Sequence, residues 1–325
     1  MPIPFYSDSD QFLRWLTRRL GRPRFPTGQG LQHAFAASGV SILISIGALA
    51  PAEAAVNDVF PGDYVAAPAG LNAFSTYLYK RNFSGVYSGE NSDKTRDLNG
   101  DIVVFLGARY FDWLGQRMMV SLSGGVAALE LTERASGDKS TTSGVFDPKI
   151  SWAMWPYMSA ERGRYLLVGL SYIPGWGDYV PSLGALNVGQ NRDRGVISLA
   201  WSGRVMPAHI FEATFEYAIH GRNSNFGANS RRRDQADAQA FTAYLRHDWR
   251  PSLAPYLGLQ SNFGGQTTIN GTAQGDSLRS DRVMLGLRWR PYLNQIVNLR
   301  LSRDFHVESG FGLDHEWALR WTFLH

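Results

Sequence analysis

A histidine and a serine near the middle of the chain have the residue types of a hydrolase site. His220 and Ser224 lie four positions apart, with Gly-Arg-Asn between them. A serine nucleophile needs a base within hydrogen-bond reach and a third group that orients the base. Because the pair stands at the start of a polar loop, we predict a loop shoulder and no catalytic residues, hence no enzyme. An outer-membrane esterase or phospholipase that uses these two residues remains the alternative.

Two further motifs have the residue types of ligand sites. Asp97, Asn99 and Asp101 place oxygen atoms at alternating positions, but the glycine and distal glutamate of a calcium loop are missing. The run Gly175–Asp178 lacks the strand and helix that flank a nucleotide-binding glycine loop. The chain has no cysteine, which excludes zinc–thiolate sites. We therefore predict no metal and no cofactor.

Charge gives little indication of a macromolecular partner. The net charge is +4, and the longest basic run is Arg231–Arg233. So small an excess does not predict nucleic-acid binding. The arginine run falls in a predicted outer loop, where it fits either contact with lipopolysaccharide phosphates or simple solvation.

A larger set of charged residues falls on the polar faces of predicted strands. We predict that these residues line a lumen: Asp101, Lys149, Glu212, Glu216, Arg246, Asp248, Arg288, Arg290, Arg300, Asp304 and Arg320. Unpaired charges in a narrow lumen are costly, so many of them should pair across strands. The set fits a polar pore and a salt-bridged structural interior equally well.

The strands themselves are predicted from a period of two residues. Apolar and polar side chains alternate, as in Phe211–His220 and Val297–Ser302, so each segment has one apolar face. Twelve such segments lie near 70–80, 98–109, 116–130, 145–157, 163–174, 193–203, 208–220, 237–249, 254–266, 281–291, 295–305 and 315–325. The connections alternate between short turns and long loops rich in Gly, Asn, Asp and Ser, as at 81–97 and 306–314.

This pattern is typical of a bacterial outer-membrane barrel. We predict an all-β, twelve-stranded antiparallel up-and-down transmembrane β-barrel with short periplasmic turns and long extracellular loops. Aromatic residues near the short-turn ends suit the lipid headgroup level; they are Trp155, Trp201, Trp249, Trp289, Trp321 and Phe323. A closed barrel also pairs every backbone group that lipid cannot bond.

The N-terminal region has the features of a targeting signal. Five arginines precede the apolar stretch 34–50, and Ala52 and Ala54 occupy the positions that signal peptidase requires. We predict a cleaved signal peptide with a long n-region at 1–54, a short periplasmic segment at 55–69 and the barrel at 70–325. A membrane anchor is the alternative for the first part.

The last predicted strand carries an outward ladder that ends two residues before the chain terminus. It contains Trp317, Leu319, Trp321 and Phe323. This ending resembles the signal that the barrel-assembly machinery reads in outer-membrane proteins, although most of those end on an aromatic residue and this chain ends on His325.

Several motifs, in order along the predicted mature chain, support a family resemblance. They are Asp63-Tyr64, Pro68-x-Gly70-Leu-Asn72, Phe146-Asp147-Pro148, Asn187-x-Gly189-Gln190-Asn191-Arg192, Gly264-Gly265-Gln266-Thr267, Asn270-Gly271, Asp304-Phe305-x-Val307-Glu308-x-Gly310-Phe311 and Asp314-His315. Together they resemble the SphA-like transporter family, also named for the MetA pathway of phenol degradation. The resemblance implies an outer-membrane channel for small, often aromatic or poorly water-soluble compounds.

The function predicted is passive uptake of such compounds across the bacterial outer membrane. The expected partners are the solute, membrane lipid with lipopolysaccharide, and the barrel-assembly machinery. In the loop 175–190, Trp176, Tyr179 and Leu183 are the residues expected to form a constriction. The alternative is a non-conducting structural barrel whose lumen is blocked by 56–68 or by a folded-in outer loop.

Overall fold

The computed structural model describes residues 59–88 and 91–325. The predicted signal peptide at 1–54, with its cleavage site, lies outside the described residues. Within them the chain forms antiparallel strands and one 3-10 turn at Pro181–Leu186. No helix in the described part is long and apolar enough to cross a membrane.

Sixteen strands follow one another within the described residues. They are β1 Asn72–Ser88, β2 Asn91–Trp113, β3 Gln116–Glu133, β4 Lys139–Val145, β5 Lys149–Ser159, β6 Arg164–Ile173, β7 Arg194–Met206, β8 His209–His220, β9 Asn223–Phe226, β10 Arg231–Gln235, β11 Ala238–His247, β12 Leu253–Gly264, β13 Thr267–Ile269, β14 Thr272–Ala273, β15 Leu278–Tyr292 and β16 Gln295–Leu324.

The main sheet closes on itself. Its order is β2-β1-β16-β15-β12-β11-β8-β7-β6-β5-β3-β4, and the additional pairing of β2 with β3 completes a ring of eleven strands. The remaining strand, β4, continues beside β3 beyond β5. Pro148 stands in the break between β4 and β5, where it has no N–H to donate to a sheet. The result is a closed antiparallel barrel.

Strand β16 pairs with a different neighbour along each half. Residues Gln295 to Ser309 pair with β15, and Ser309 to Leu324 pair with β1. The predicted loop at 306–314 is thus part of a strand. The described part of the predicted loop at 81–97 likewise belongs to β1 and β2, which stay paired up to Ser88 and Asn91 with one register shift between Ser84 and Val86. Strands of this length exceed the roughly ten residues that a tilted strand needs to cross a bilayer.

The two faces of the barrel differ as the alternation predicts. Leu299 is 50% exposed and its neighbour Arg300 is 3% exposed. Phe215 and Glu216 show the same contrast. Because successive side chains point to opposite faces of a strand, the apolar stripes form the outer surface and the charged stripes surround the lumen.

A second sheet extends from the end of the barrel that carries the long loops. It has the order β14-β13-β10-β9. Below, this end is called the long-loop end and the opposite one the short-turn end.

Candidate transport lumen

The chain before β1 lies inside the barrel. Residues 59–68 form what we call the inner segment; their position is that of the alternative in which 56–68 enters the lumen, whereas the preferred prediction was a short periplasmic segment at 55–69. The carbonyl oxygen of Val59 accepts hydrogen bonds from Tyr244 Oη at 2.8 Å and from Arg300 at 3.3 Å. Phe60 is 0% exposed. Its ring lies 4.5 Å from the Arg300 guanidinium carbon and 4.7 Å from that of Arg320, a geometry in which cation and ring attract.

Charged groups of the barrel wall hold the next residues of the inner segment. Arg320 Nη1 lies 2.6 and 2.7 Å from the two carboxylate oxygens of Asp63. The backbone N–H of Gly62 donates to Glu212 Oε2 at 2.8 Å. Glu212 also accepts from Ser202 at 3.1 Å and pairs with Arg246 at 3.4 Å. These contacts fix the inner segment to strands on opposite sides of the lumen.

Trp155 corrects one prediction about the outer surface. Its indole is 1% exposed and donates to the carbonyl oxygen of Tyr64 at 2.7 Å, so it lies in the lumen and not in an aromatic girdle. Trp155 shares its face of β5 with Ser151 and Ala153. Those small side chains leave room for the indole. Because Ser151 and Ala153 alternate with apolar residues on the same strand, they mark this face of β5 as the inner one, and the prediction missed this.

Glycines on neighbouring strands give the luminal tyrosines their positions. Tyr244 pairs with Gly258, and Tyr256 pairs with Gly286. A Cβ atom on either glycine would collide with the facing tyrosine ring. Each ring therefore lies flat across its neighbour's backbone, and the Tyr244 hydroxyl reaches the inner segment.

A buried carboxylate anchors the arginines on the other side of the lumen. Glu316 is 0% exposed. Its oxygens lie 2.8 Å from Arg300, 2.7 Å from Arg81 and 2.9 Å from the hydroxyl of Ser302. Asp304 forms a second such pair with Arg282 at 2.7 Å. Charges removed from water are stable here because each has a charged partner and further hydrogen bonds.

The predicted lumen residues fall into two groups. The following have side chains that are buried or half-buried on the inner face or at its rim: Lys149, Glu212, Glu216, Arg246, Asp248, Arg288, Arg290, Arg300, Asp304 and Arg320. The prediction that Asp101 lines the lumen is wrong. Asp101 pairs with Lys80 at 3.3 Å on the outer face, while its neighbours Gly100 and Ile102 line the lumen. Both faces of β2 carry apolar residues, so composition alone could not assign its inner face.

The loop between β6 and β7 folds toward the lumen at the long-loop end. Asp147 accepts hydrogen bonds from the backbone N–H groups of Gly177 at 2.8 Å and Gln190 at 3.0 Å. Leu186 of this loop is buried against Leu98 and Phe311 of the barrel.

Of the three residues predicted to form a constriction, Leu183 packs against that same cluster. The Tyr179 hydroxyl donates to Asn225 O at 3.1 Å. The prediction that Trp176 contributes to a constriction is wrong, because its side chain is 75% exposed and faces away from the lumen. The backbone N–H groups of Gly177 and Gln190 bond to Asp147 and bring the loop inward at its two ends, and Trp176 directly precedes the first of these residues.

Two cavities occupy the lumen. The lower one, beside the inner segment, has a volume of about 470 Å³. The upper one, toward the long-loop end, has a volume of about 270 Å³. Tyr77, Leu106 and Lys149 line both, so the two spaces meet at the same side chains.

The remaining motifs do not converge on a common site. His220 Nδ1 lies 3.2 Å from the carbonyl oxygen of Ala236, and Ser224 is exposed in β9. Asp97 pairs with Arg134 at 2.7 Å, and Asn99 bonds Asn82 at 2.7 Å. Within the described ranges, no group of three or more His, Asp or Glu side chains could hold a metal ion.

The arginine run 231–233 is divided between two environments. Arg232 is paired with Asp234 at 2.6 Å. Arg233 is buried and its guanidinium carbon lies 5.0 Å from the centre of the Phe226 ring. Only part of the run is therefore exposed at the surface of the second sheet.

Sequence reasoning missed several luminal residues, among them Asp63, Arg81, Arg282 and Glu316, and placed Trp155 on the wrong face. The polar faces of the last predicted strands contain more arginines than carboxylates, and this imbalance was a usable signal that a carboxylate such as Asp63 must come from elsewhere.

Among the solved structures that are similar to this chain, two share its fold over most of its length. The COG4313 outer membrane channel from Pseudomonas putida F1 aligns with a TM-score of 0.75 and 20% identity, covering 82% of this chain and 100% of that one. The β-domain of the Bordetella autotransporter BrkA aligns with a TM-score of 0.50 and 12% identity, covering 79% of this chain and 99% of that one. The chain shares their barrel fold. No family model and no curated protein matches the sequence.

Proposed function

We propose that this protein is an outer-membrane channel for passive uptake of small aromatic or otherwise hydrophobic compounds, of the SphA-like group. The observation that carries the proposal is a closed barrel with an apolar exterior around a lumen that contains cavities of about 270 and 470 Å³. A barrel that served only as a structural support would not need such spaces, since protein interiors are otherwise close-packed.

The walls of the upper cavity support the substrate class. Phe83, Ile102, Val104 and Leu129 line it on β1, β2 and β3. Small-molecule sites are commonly lined by apolar and aromatic groups with a few polar ones for orientation. The predicted charged residues on the inner face, apart from Asp101, line the remainder of the path in this proposal.

We further propose that the chain crosses the membrane twelve times, with β16 contributing two spans. Contacts within β16 support this. Leu324 N donates to Asn294 O at 2.8 Å, Trp321 Nε1 donates to Gln295 Oε1 at 3.3 Å, and Arg300 pairs with Glu316. These contacts join residues placed nearly symmetrically about Ser309, as in a hairpin. With an even number of spans, both ends of the barrel lie at the short-turn, periplasmic side.

The rest of the predicted biology belongs to the same proposal. Signal cleavage after Ala54 delivers the chain to the periplasm, and the barrel-assembly machinery inserts it. Two exposed arginines, Arg232 in β10 and Arg222 directly before β9, then lie where lipopolysaccharide phosphates are found. Both arginines already pair with Asp234 at 3.0 and 2.6 Å, so this lipid contact adds to an existing network.

The proposal is tested by uptake of the dye 1-N-phenylnaphthylamine into cells whose intact lipopolysaccharide layer excludes it. Cells that produce the protein should take up the dye faster than cells with an empty vector. Val104→Trp, which fills the upper cavity, should abolish the gain. Val103→Trp adds the same ring on the outer face of β2 and should leave it unchanged. Dye entry no faster than in the vector control contradicts the proposal.

A further inference from the structure

Two arginines on the inner face of β15 line the lower cavity beside the inner segment. Arg288 and Arg290 both border this space of about 470 Å³. Arg290 donates from Nε to the carbonyl oxygen of Leu293 at 3.0 Å, so its acceptor is a neutral group. The Nε atom of Arg288 is buried and has no hydrogen-bond partner among the described residues. A buried donor without an acceptor is costly, and a ligand that supplies one would remove this cost.

The charged groups around Arg288 are bonded to one another. Arg246 and Arg320 repel the Arg288 guanidinium, and two carboxylates attract it, those of Glu212 and Asp63. Asp63 holds Arg320 through both of its oxygens, at 2.6 and 2.7 Å. Glu212 pairs with Arg246 at 3.4 Å and accepts hydrogen bonds from a backbone N–H and a serine hydroxyl. An anion that enters the cavity at Arg288 would therefore meet three guanidinium groups.

Other parts of the same cavity are apolar. Leu106 and Tyr110 line it on β2, and Met119 lines it on β3. Small-molecule sites commonly combine such walls with a few polar groups that fix the orientation of the ligand. A carboxylate suits Arg288 because its two oxygens can accept two parallel N–H bonds from one planar guanidinium. The cavity thus fits a ligand with an apolar body and one carboxylate.

We infer that the lower cavity binds organic carboxylates, with the carboxylate at Arg288 and the apolar body against the wall formed by β2 and β3. This rests on the proposed function, since a solute reaches the cavity only through an accessible lumen. Among small hydrophobic compounds, the site selects those that carry an anionic group. A hydrogen bond between charged groups predicts about tenfold tighter binding of the carboxylate than of a neutral analogue of similar size.

The test is equilibrium binding of radiolabelled 4-phenylbutyrate and 4-phenylbutanol to the full chain, purified from outer membranes, in lipid nanodiscs. Empty nanodiscs give the partition blank. The wild type should bind the carboxylate about tenfold more tightly than the alcohol. Arg288→Met keeps a long side chain but removes the guanidinium, so it should remove most of this preference.

The matched control is Arg303→Met, the same exchange at an arginine of β16 whose side chain is 71% exposed. It should keep the tenfold preference of the wild type. Heat-modifiable migration on gels reports that each variant is folded. If Arg288→Met does not fold, Arg288→Lys replaces it and should also lower the preference, because an ammonium group cannot form the two parallel bonds of a guanidinium.

The outcomes separate this inference from the proposed function. A preference that falls in the Arg288 variant and not in Arg303→Met supports the carboxylate site. Equal affinity of the wild type for the two probes, an unchanged preference in the folded Arg288 variant, or an equal loss in Arg303→Met overturns it. Failure of the channel itself is seen separately, as absence of dye uptake by cells that produce the wild type.

Discussion

The two halves of the lumen are built on different principles. In the short-turn half, the inner segment brings its own carboxylate and backbone groups to the wall: Asp63 pairs with Arg320, and the Gly62 N–H donates to Glu212. In the long-loop half, an apolar surface on β2 faces a space of about 270 Å³ with cations at its edge. The first half is crossed by the protein's own chain, which leaves a cavity of about 470 Å³ beside it, and the second half has an apolar-walled space that the inner segment does not enter.

The difference teaches how one barrel can hold buried, paired charges in one half of its interior and an apolar wall in the other. Buried ions contribute stability only when partners surround them, and the inner segment provides several of those partners. The same segment narrows the path. The upper half holds fewer such constraints, and its apolar wall is available to a solute.

Deletion of residues 59–66 should have the largest effect of the three changes, because it removes the feature that distinguishes the two halves of the lumen. It removes Phe60 and Asp63 from the lower half and leaves every strand in place. We expect a several-fold higher single-channel conductance in planar bilayers, because the path widens where the segment lay. Exchanging Lys80 for Met on the outer face is the control and should not alter the conductance. An unchanged current after the deletion would show that the narrow point lies elsewhere.

Glu316→Gln should strongly destabilise the barrel. The change leaves the buried Arg300 without its charged partner, and breaking a buried pair in this way costs about 3–5 kcal/mol. Urea unfolding in lipid vesicles measures the free energy. Glu308→Gln breaks an exposed pair with Arg279 and should cost at most about 1 kcal/mol. Similar losses for the two variants would contradict the role assigned to Glu316.

Trp155→Phe should have the smallest effect of the three. It removes the hydrogen bond to the Tyr64 carbonyl but keeps most of the ring in contact with the inner segment, so we expect a loss of about 1 kcal/mol in the free energy of unfolding. Trp321→Phe is the matched exchange on the outer face, where the indole bonds Gln295 at 3.3 Å. It should cost less, and the reverse order would disprove the luminal assignment of Trp155.

Much of the barrel was predictable because period-two alternation is a local property. The stripes containing Leu299 and Arg300, and Phe215 and Glu216, were assigned to the correct faces. The assignment failed for Asp101, because β2 is apolar on both faces, and for Trp155, because an aromatic residue was taken to face lipid although its neighbours Ser151 and Ala153 were small. The segments 81–97 and 306–314, predicted as loops, contain strand residues such as Tyr87 and Val307, because polar residues dominate there although the backbone is paired.

The luminal site was predictable only in part, because local alternation assigns a face to each residue but does not identify its partner. Each inward charge could be placed on a face from its own strand, but its partner comes from another part of the chain. Arg320 meets Asp63 across 257 positions, and Arg81 meets Glu316 across 235. No spacing rule connects such residues.

The sequence by itself determined an antiparallel barrel with an apolar exterior and a charged interior, since side-chain direction in a strand follows directly from position. Only the tertiary structure decided that residues 59–68 enter the lumen, which charges pair, and where space remains. Those features depend on closure of the ring, which brings distant residues to within hydrogen-bonding distance and leaves a cavity only where facing side chains fail to fill the interior.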